Sequence, residues 1–376
     1  MNPYFKIYRT LRPVLLLAIS VWLLSACTST GSGNNLLVGV AGQETETPST
    51  VPSDLPEELP TSTPIPEAFG HIIFVSNRDG HMNLYMATPD GIEVIRLTNA
   101  SSEDANPRIS PDGTRVAFVS TVNGNMDVYI FDLLSGNITR VTDAPEKDSA
   151  PSWSPNGVQL AFESFRDGNF EIYITNADGS NQYRLTNDPA GDSSPVWSPV
   201  SNQIAFVSNR FGNADILLIT PNGSVSTLTT NSAPDSAPAW SPDGNWIAFK
   251  ISSGELSNIC LINQNGLGQR CLTSAPSEYG APVWSPDGNW LAVSARQSGG
   301  YGINVFNITD GTVLELFSSG IEPRGNPAWS PDGLRLVFQA QVGGDMELYT
   351  VLIPTNEFTR ITSISSFDGN PVWTGK

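Results

Sequence analysis

A short signature, Pro-x-Trp-Ser-Pro, returns along this chain at an almost constant interval, and no other feature narrows the possible folds so sharply. Its first proline falls at Pro107, Pro151, Pro195, Pro238, Pro282, Pro327 and Pro371, with Ile109 replacing the tryptophan in the first copy. The intervals are 44, 44, 43, 44, 45 and 44 residues. A period of this size marks a repeat architecture, in which each unit buries its apolar face only against its neighbours.

Each unit reads as four short strands. The first is the signature segment. The second is Val116-Ala-Phe-Val-Ser120, echoed by Leu160-Ala-Phe-Glu-Ser164, Ile204-Ala-Phe-Val-Ser208 and Leu336-Val-Phe-Gln-Ala340. The third is Asp127-Val-Tyr-Ile-Phe131 and its copies, and the fourth Ile138-Thr-Arg-Val-Thr142 and its copies. β-Branched and aromatic residues fill these runs, and Gly, Asn, Asp or Pro bound them. Ser110-Pro-Asp-Gly113 and its relatives supply the turns: proline presets φ, Asp bonds local backbone, and Gly accepts a left-handed conformation. Ser198-Pro-Val-Ser201 departs from this chemistry, and Asn202 is expected to take the positive φ there.

Four antiparallel strands per unit predict an all-β fold, a β-propeller. His71 to Thr98 supplies strands two to four of a unit lacking its first strand, and Asn370-Pro-Val-Trp373 supplies a first strand with nothing after it. Joining them gives seven blades, with the first closed by N- and C-terminal strands. A six-bladed ring with loose terminal strands is the alternative. Trp153, Trp197, Trp240, Trp284, Trp329 and Trp373 share one repeat position and read as inter-blade core.

These motifs resemble the TolB-type, WD-like propeller repeat over residues 71–376. The resemblance implies the propeller fold and partner peptides received at a channel mouth. Typical members carry an α/β domain before a six-bladed ring and are soluble periplasmic proteins, whereas this chain begins differently.

Lys6, Arg9 and Arg12 precede an apolar run from Val14 to Leu24, 11 residues long. That is about half of what a membrane-spanning helix needs and suits a signal peptide. The run ends in Leu24-Ser25-Ala26-Cys27, which resembles a bacterial lipobox. The expected organisation is a signal peptide over residues 1–26, a lipidated Cys27 opening a tether over 27–70, and the propeller over 71–376. The tether has no Lys or Arg and is rich in Pro, Thr, Ser and Glu, too polar to fold. Thr28 follows the cysteine, which favours the outer membrane of a two-membrane cell. A single-membrane cell would carry the protein on its outer face.

The chain has 19 Lys and Arg against 37 Asp and Glu, a net charge of −18. Loss of the leader takes this to −21, of which −15 belongs to the folded part. A charge of this sign excludes nucleic acid as the natural ligand. Two histidines and three cysteines leave no basis for a multi-histidine metal site, and no cofactor is expected. There is no Gly-x-Ser-x-Gly elbow. The expected function is a non-catalytic, monomeric module that binds a protein or peptide, with glycan or peptidoglycan fragments as the rival ligand and a propeller hydrolase or lyase as a further alternative.

Three groups of residues are candidates for that function or for its support. Asp104, Asp148, Asp192, Asp235 and Asp368 stand three positions before the anchor proline, where the other two units carry Tyr279 and Arg324. They could ring one mouth of the channel and attract a basic partner, or cap their own turns. Trp246 and Trp290 occupy a position filled elsewhere by Arg or Gln. They form either an apolar contact patch or packing against an adjacent loop. Cys260 and Cys271 flank Asn265-Gly266, which as a two-residue turn makes them cross-strand neighbours, either a disulfide or two buried thiols.

Overall fold

The computed structural model describes residues 70–99 and 101–375. Cys27, the signal peptide and nearly all of the tether lie outside the described residues. The described residues form seven four-stranded antiparallel sheets. Blade one comprises Asp368–Trp373, Ile72–Ser76, Asn83–Ala87 and Val94–Arg96, so both ends of the domain share one sheet. Blade two is Asp104–Ile109, Arg115–Ser120, Asp127–Asp132 and Ile138–Arg140; blade three is Asp148–Trp153, Gln159–Ser164, Glu171–Asn176 and Tyr183–Arg184. Blade four is Asp192–Trp197, Ile204–Ser208, Asp215–Ile219 and Val225–Thr227; blade five is Asp235–Trp240, Trp246–Ser253, Leu256–Asn263 and Arg270–Cys271. Blade six is Val283–Trp284, Trp290–Gln297, Gly300–Asn307 and Val313–Leu316; blade seven is Glu322–Trp329, Arg335–Val342, Asp345–Leu352 and Glu357–Arg360. The first strand of each blade touches that of the next all the way round, and Asp368–Trp373 touches both Glu322–Trp329 and Asp104–Ile109. The ring is closed with seven blades, not six.

The repeat residues explain the packing. Phe74, Phe118, Phe162, Phe206, Phe249 and Phe338 hold one position of the second strand and are fully buried. The signature tryptophans fill the seams. Trp153, for example, packs among Ala117, Val128 and Ile130 of blade two and Leu160, Phe162 and Tyr173 of its own blade. Its indole N–H donates to the Arg108 carbonyl of the preceding blade at 3.0 Å. Trp240, Trp284, Trp329 and Trp373 repeat that bond to the carbonyls of Val196, Ala239, Val283 and Ala328 at 3.0–3.1 Å.

The proline of the signature is tolerated inside a strand because the ladder is already broken there. The first strands of blades one to five shift register around it. The preceding residue, Asn370, Asn106, Ala150, Ser194 or Ala237, adopts a φ of 51–53°. A proline at a bulge costs no ladder bond.

Two turn expectations need correction. Asn202 does not take a positive φ. The Ser198 hydroxyl instead accepts from the N–H groups of Val200 and Ser201, at 3.4 and 3.2 Å. At Asn265-Gly266 the Asn263 N–H bonds the Leu267 carbonyl at 2.9 Å, so the loop holds three residues. Gly268, at φ 67°, absorbs the extra residue and restores the expected pairing of Cys260 with Cys271.

The turns between strands one and two and the hairpins between strands three and four share one face, where Gly70 also joins the ring by donating to the Gly375 carbonyl at 3.0 Å. The opposite face, called here the mouth face, carries the hairpins between strands two and three and the starts of the first strands. If ring closure carries stability, Trp373→Ala should lower the unfolding free energy by about 3–5 kcal/mol, the usual loss for a large aromatic cavity. Urea denaturation checks this; an unchanged midpoint would mean the terminal strand is not holding the ring shut.

Candidate binding site at the channel mouth

All five aspartates begin the first strands of their blades, as their spacing suggests, but they are 0–2% exposed. Each is held by a hydrogen bond from neighbouring side chains rather than offered to solvent. Arg78 reaches Asp368 with both oxygens in range, at 3.0 and 3.1 Å. Arg166 bonds Asp148 at 2.9 Å and Arg210 bonds Asp192 at 2.7 Å. Asp104 accepts from the Thr98 hydroxyl at 2.6 Å, and Asp235 from the Asn231 amide at 2.7 Å. The basic partner expected of an open ring therefore has no exposed carboxylate at these five positions to meet.

The three arginines come from a motif the sequence reading passed over: Phe74-Val-Ser-Asn-Arg78, Phe162-Glu-Ser-Phe-Arg166 and Phe206-Val-Ser-Asn-Arg210. In each, the serine hydroxyl accepts the arginine Nε–H at 2.7–2.9 Å. The guanidinium lies over the phenylalanine at 5.3–5.6 Å, a cation–π contact. Blade two carries Val122 where the arginine would stand, and blade five carries Ser253.

Charge compensation is weakest at blade five. Burial pushes the Asp235 carboxyl up to about 6, and the negative charge of Asp215 adds to the rise. Burial raises Asp215 as well. In blades two, three and seven the residue at the Asp215 position meets a fourth-strand arginine: Arg140 with Asp127, Arg184 with Glu171, and Arg360 with Glu347, at 2.7–2.8 Å. In blade four Thr227 stands in that register instead. The Oδ1 atom of Asp215 has no hydrogen-bond partner, and the same is true of Asp104, Asp148, Asp192 and Asp235.

The two ring positions without aspartate are where the mouth opens. Tyr279 and Arg324 line a cavity of about 250 Å³ with Lys250, Glu278, Ser294 and Tyr301. Its walls are raised by blades five to seven, whose second and third strands run eight residues against five or six in blades one to four. The Arg324 guanidinium stacks 3.7 Å from the centre of the Tyr301 ring and bonds Glu322 at 2.7 Å. The Tyr301 hydroxyl donates to Glu278, which Arg296 also bonds at 2.9 Å; these two partners hold the Glu278 carboxyl below its ordinary range. Lys250 Nζ donates to the Tyr279 carbonyl at 2.6 Å and pairs with no carboxylate among the described residues. Burial lowers its proton affinity. Ser294 Oγ donates to the Gly325 carbonyl at 2.6 Å and fixes blade six to blade seven beneath the cavity. A ligand here meets two cations, an aromatic edge and two hydroxyls on an otherwise acidic ring.

The remaining candidates are structural in placement. Trp246 and Trp290 are half-buried and pack into the clusters holding Trp284 and Trp329 of the following blades. The adjacent seams take them up, and they do not form one contact patch. The equivalent Arg115 likewise lies 4.8 Å over Trp153. Cys260 and Cys271 are joined as a disulfide, with Cα atoms 3.8 Å apart, and it ties a two-residue edge strand to blade five. Among the described residues no three His, Cys, Asp or Glu side chains converge as a metal site would require.

The TolB beta propeller domain family matches residues 63–278 of the chain. The protein TolB homolog of Chlorobaculum tepidum is 48% identical over 46 residues, 12% of this chain and 11% of that relative. The match thus spans about a tenth of the curated relative. Among solved structures, TolB from Acinetobacter baumannii has a TM-score of 0.55 at 23% identity, covering 83% of this chain and 68% of that one. An oligogalacturonate lyase in complex with manganese has a TM-score of 0.61 at 17% identity, covering 75% and 85%. Likeness at these identities shows the fold alone.

The buried aspartates should respond in opposite ways to neutralisation. The folded-state value of Asp235 lies above its unfolded one, so its contribution to stability is full below about pH 4 and is lost as pH rises through about 6. Asp235→Asn should therefore stabilise the protein near pH 7.5 by roughly 1–3 kcal/mol and change little near pH 4. Asp148→Asn breaks a pair with the partly solvated Arg166 and should cost about 2–4 kcal/mol near pH 7.5. Urea midpoints at the two pH values test both; equal losses for the two variants would show that Asp235 has a compensating partner.

Proposed function

The chain belongs to the TolB beta propeller domain family, and on that premise we propose that it is a non-catalytic protein-binding module of the bacterial cell envelope. It is held there by a lipid on Cys27 and a tether over residues 27–70, and it works as a monomer. The partner docks on the mouth face at the cavity of Tyr279, Lys250 and Arg324. One observation carries this reading. Five blades close the same position with a buried carboxylate, while two neighbouring blades leave it open beneath raised hairpins. A site of mixed charge with an aromatic wall suits a polypeptide, since hot spots favour tyrosine and arginine.

The rival glycan reading needs a free aromatic face for stacking. One face of Tyr301 is taken by Arg324, which leaves Tyr279 as the other aromatic wall among charged groups and favours the protein ligand. Catalysis needs a positioned acid, base or nucleophile. In the cavity Glu278 is held ionised by Arg296 and Tyr301, Lys250 is committed to a backbone carbonyl, and the second acid, Glu255, stands exposed at the hairpin tip.

The mature lipidated chain, crosslinked in intact cells and purified, should capture a protein partner. The pair Lys250→Glu and Arg324→Glu should abolish capture, or weaken it at least about tenfold, the equivalent of one or two charge-assisted hydrogen bonds. Arg335→Glu on the opposite face should leave it unchanged. A partner retained by the double variant would place docking elsewhere; turnover of a polysaccharide or peptide by the purified chain would overturn the non-catalytic role.

A further inference from the structure

The signature position between proline and tryptophan is small or β-branched in six units: Ser152, Val196, Ala239, Val283, Ala328 and Val372. In blade two it is Arg108. This residue sits on Asp104–Ile109, the innermost strand, which touches the first strands of blades one and three. The other six positions are half-buried, whereas the Arg108 side chain is open to solvent. Burial nevertheless presses down on its guanidinium, and no charged group acts to offset it. An exposed side chain on the innermost strand, between the first strands of blades one and three, opens onto the channel.

Most of the other arginines of the ring are spoken for. Arg78, Arg96, Arg115, Arg140, Arg166, Arg184, Arg210, Arg296, Arg324, Arg335 and Arg360 each lie within 4.0 Å of a carboxylate. Arg108 has no such partner among the described residues. It donates one hydrogen bond, at 3.1 Å, to the carbonyl of Pro107 beside it. A guanidinium carries five N–H donors in a planar fork and does not deprotonate in proteins. With no counter-charge in reach, its fork is free to receive an anion that enters.

We propose that Arg108 makes the axial channel an anion site, and that the ligand is a carboxylate, which the fork can grip with two parallel hydrogen bonds. The carboxylate is either a free small acid or an acidic side chain of a peptide threaded into the channel. This site is separate from the mouth cavity, where the cations are Lys250 and Arg324. It holds or fails independently of protein docking there.

The test uses the full chain labelled with ¹⁵N-arginine, titrated at constant ionic strength with two probes, sodium acetate and an end-blocked triglutamate peptide. The Arg108 Nε–H resonance is identified by its loss in Arg108→Ser, the residue type found at Ser152. It should shift saturably, and bound probe should raise the melting temperature of the wild type. Arg108→Ser should bind at least about tenfold more weakly, the loss expected for one charge-assisted hydrogen bond. Arg108→Lys keeps the charge without the fork and should fall between, which also serves if the serine variant does not fold. Saturation by acetate identifies a free acid as sufficient; saturation by the peptide alone identifies a carboxylate delivered on a chain. No saturable shift with either probe, or equal melting shifts in wild type and Arg108→Ser, would overturn the proposal.

Discussion

The signature tryptophan, packed in a seam and in five of its six copies bonded through the indole to the blade before it, is the contact on which the ring depends. A blade is a four-stranded sheet with two apolar faces and cannot stand alone. Trp153, Trp240, Trp284, Trp329 and Trp373 each fill the gap to the previous blade and spend their one polar atom on a carbonyl of its first strand. At Trp197 the indole N–H has no partner, and the bond across the seam runs instead from its backbone N–H to the Ser152 hydroxyl at 2.9 Å. The seam between blades one and two has Ile109 in place of tryptophan. An apolar cluster of Ile73, Val75, Leu84, Met86, Val116 and Phe118 fills it. This is also the seam beside the closure, where Asp368–Trp373 pairs with Ile72–Ser76.

Over this uniform frame the mouth face divides into two halves. In blades one, three and four an arginine from the hairpin folds down over Phe and serine onto the first-strand aspartate and seals the position. In blades five to seven the hairpins lengthen and no such arginine descends. Asp235 is left with an amide partner, and Tyr279 and Arg324 replace aspartate altogether. The longer hairpins raise the wall against which Arg324 and Tyr301 stack.

The fold was legible because repetition multiplies a weak signal. One Pro-x-Trp-Ser-Pro predicts little, but seven at intervals of 43–45 fix blade number, strand order and the shared terminal blade. The disulfide register was legible for a related reason: hairpin pairing places 260 opposite 271 whether the loop holds two residues or three with a bulge. What the spacing could not convey was where a side chain's charge is met. Asp148 and Arg166 are 18 residues apart, and Asp368 and Arg78 are 290 apart. Whether an aspartate at a strand start faces water or an arginine depends on the hairpin folding back above it. The Phe-x-Ser-x-Arg repeat held that information. Trp246 and Trp290 misled for a similar reason, since the polar residues at their equivalents, such as Arg115, themselves lie flat over a seam.

A ring of near-identical units presents almost the same chemistry in every direction around its axis. A ligand bound off that axis, or gripped by one side of the channel, can be recognised only through residues that break the repeat. Arg108 and Ile109 depart from it in one unit, Tyr279 and Arg324 in two others, and Lys250 stands where blades one, two and four carry Val75, Val119 and Val207. Some of these departures also serve the frame: Ile109 and Tyr279 pack against apolar clusters, and Lys250 bonds a carbonyl leading into the next blade. The frame does not require a charge at 108, since the other six units carry a small or β-branched neutral residue there. Residues that weaken or ignore the scaffold while opening a cavity or charging a channel are the ones whose presence calls for a ligand. In this chain they cluster at the mouth of blades five to seven and at a single point on the channel wall.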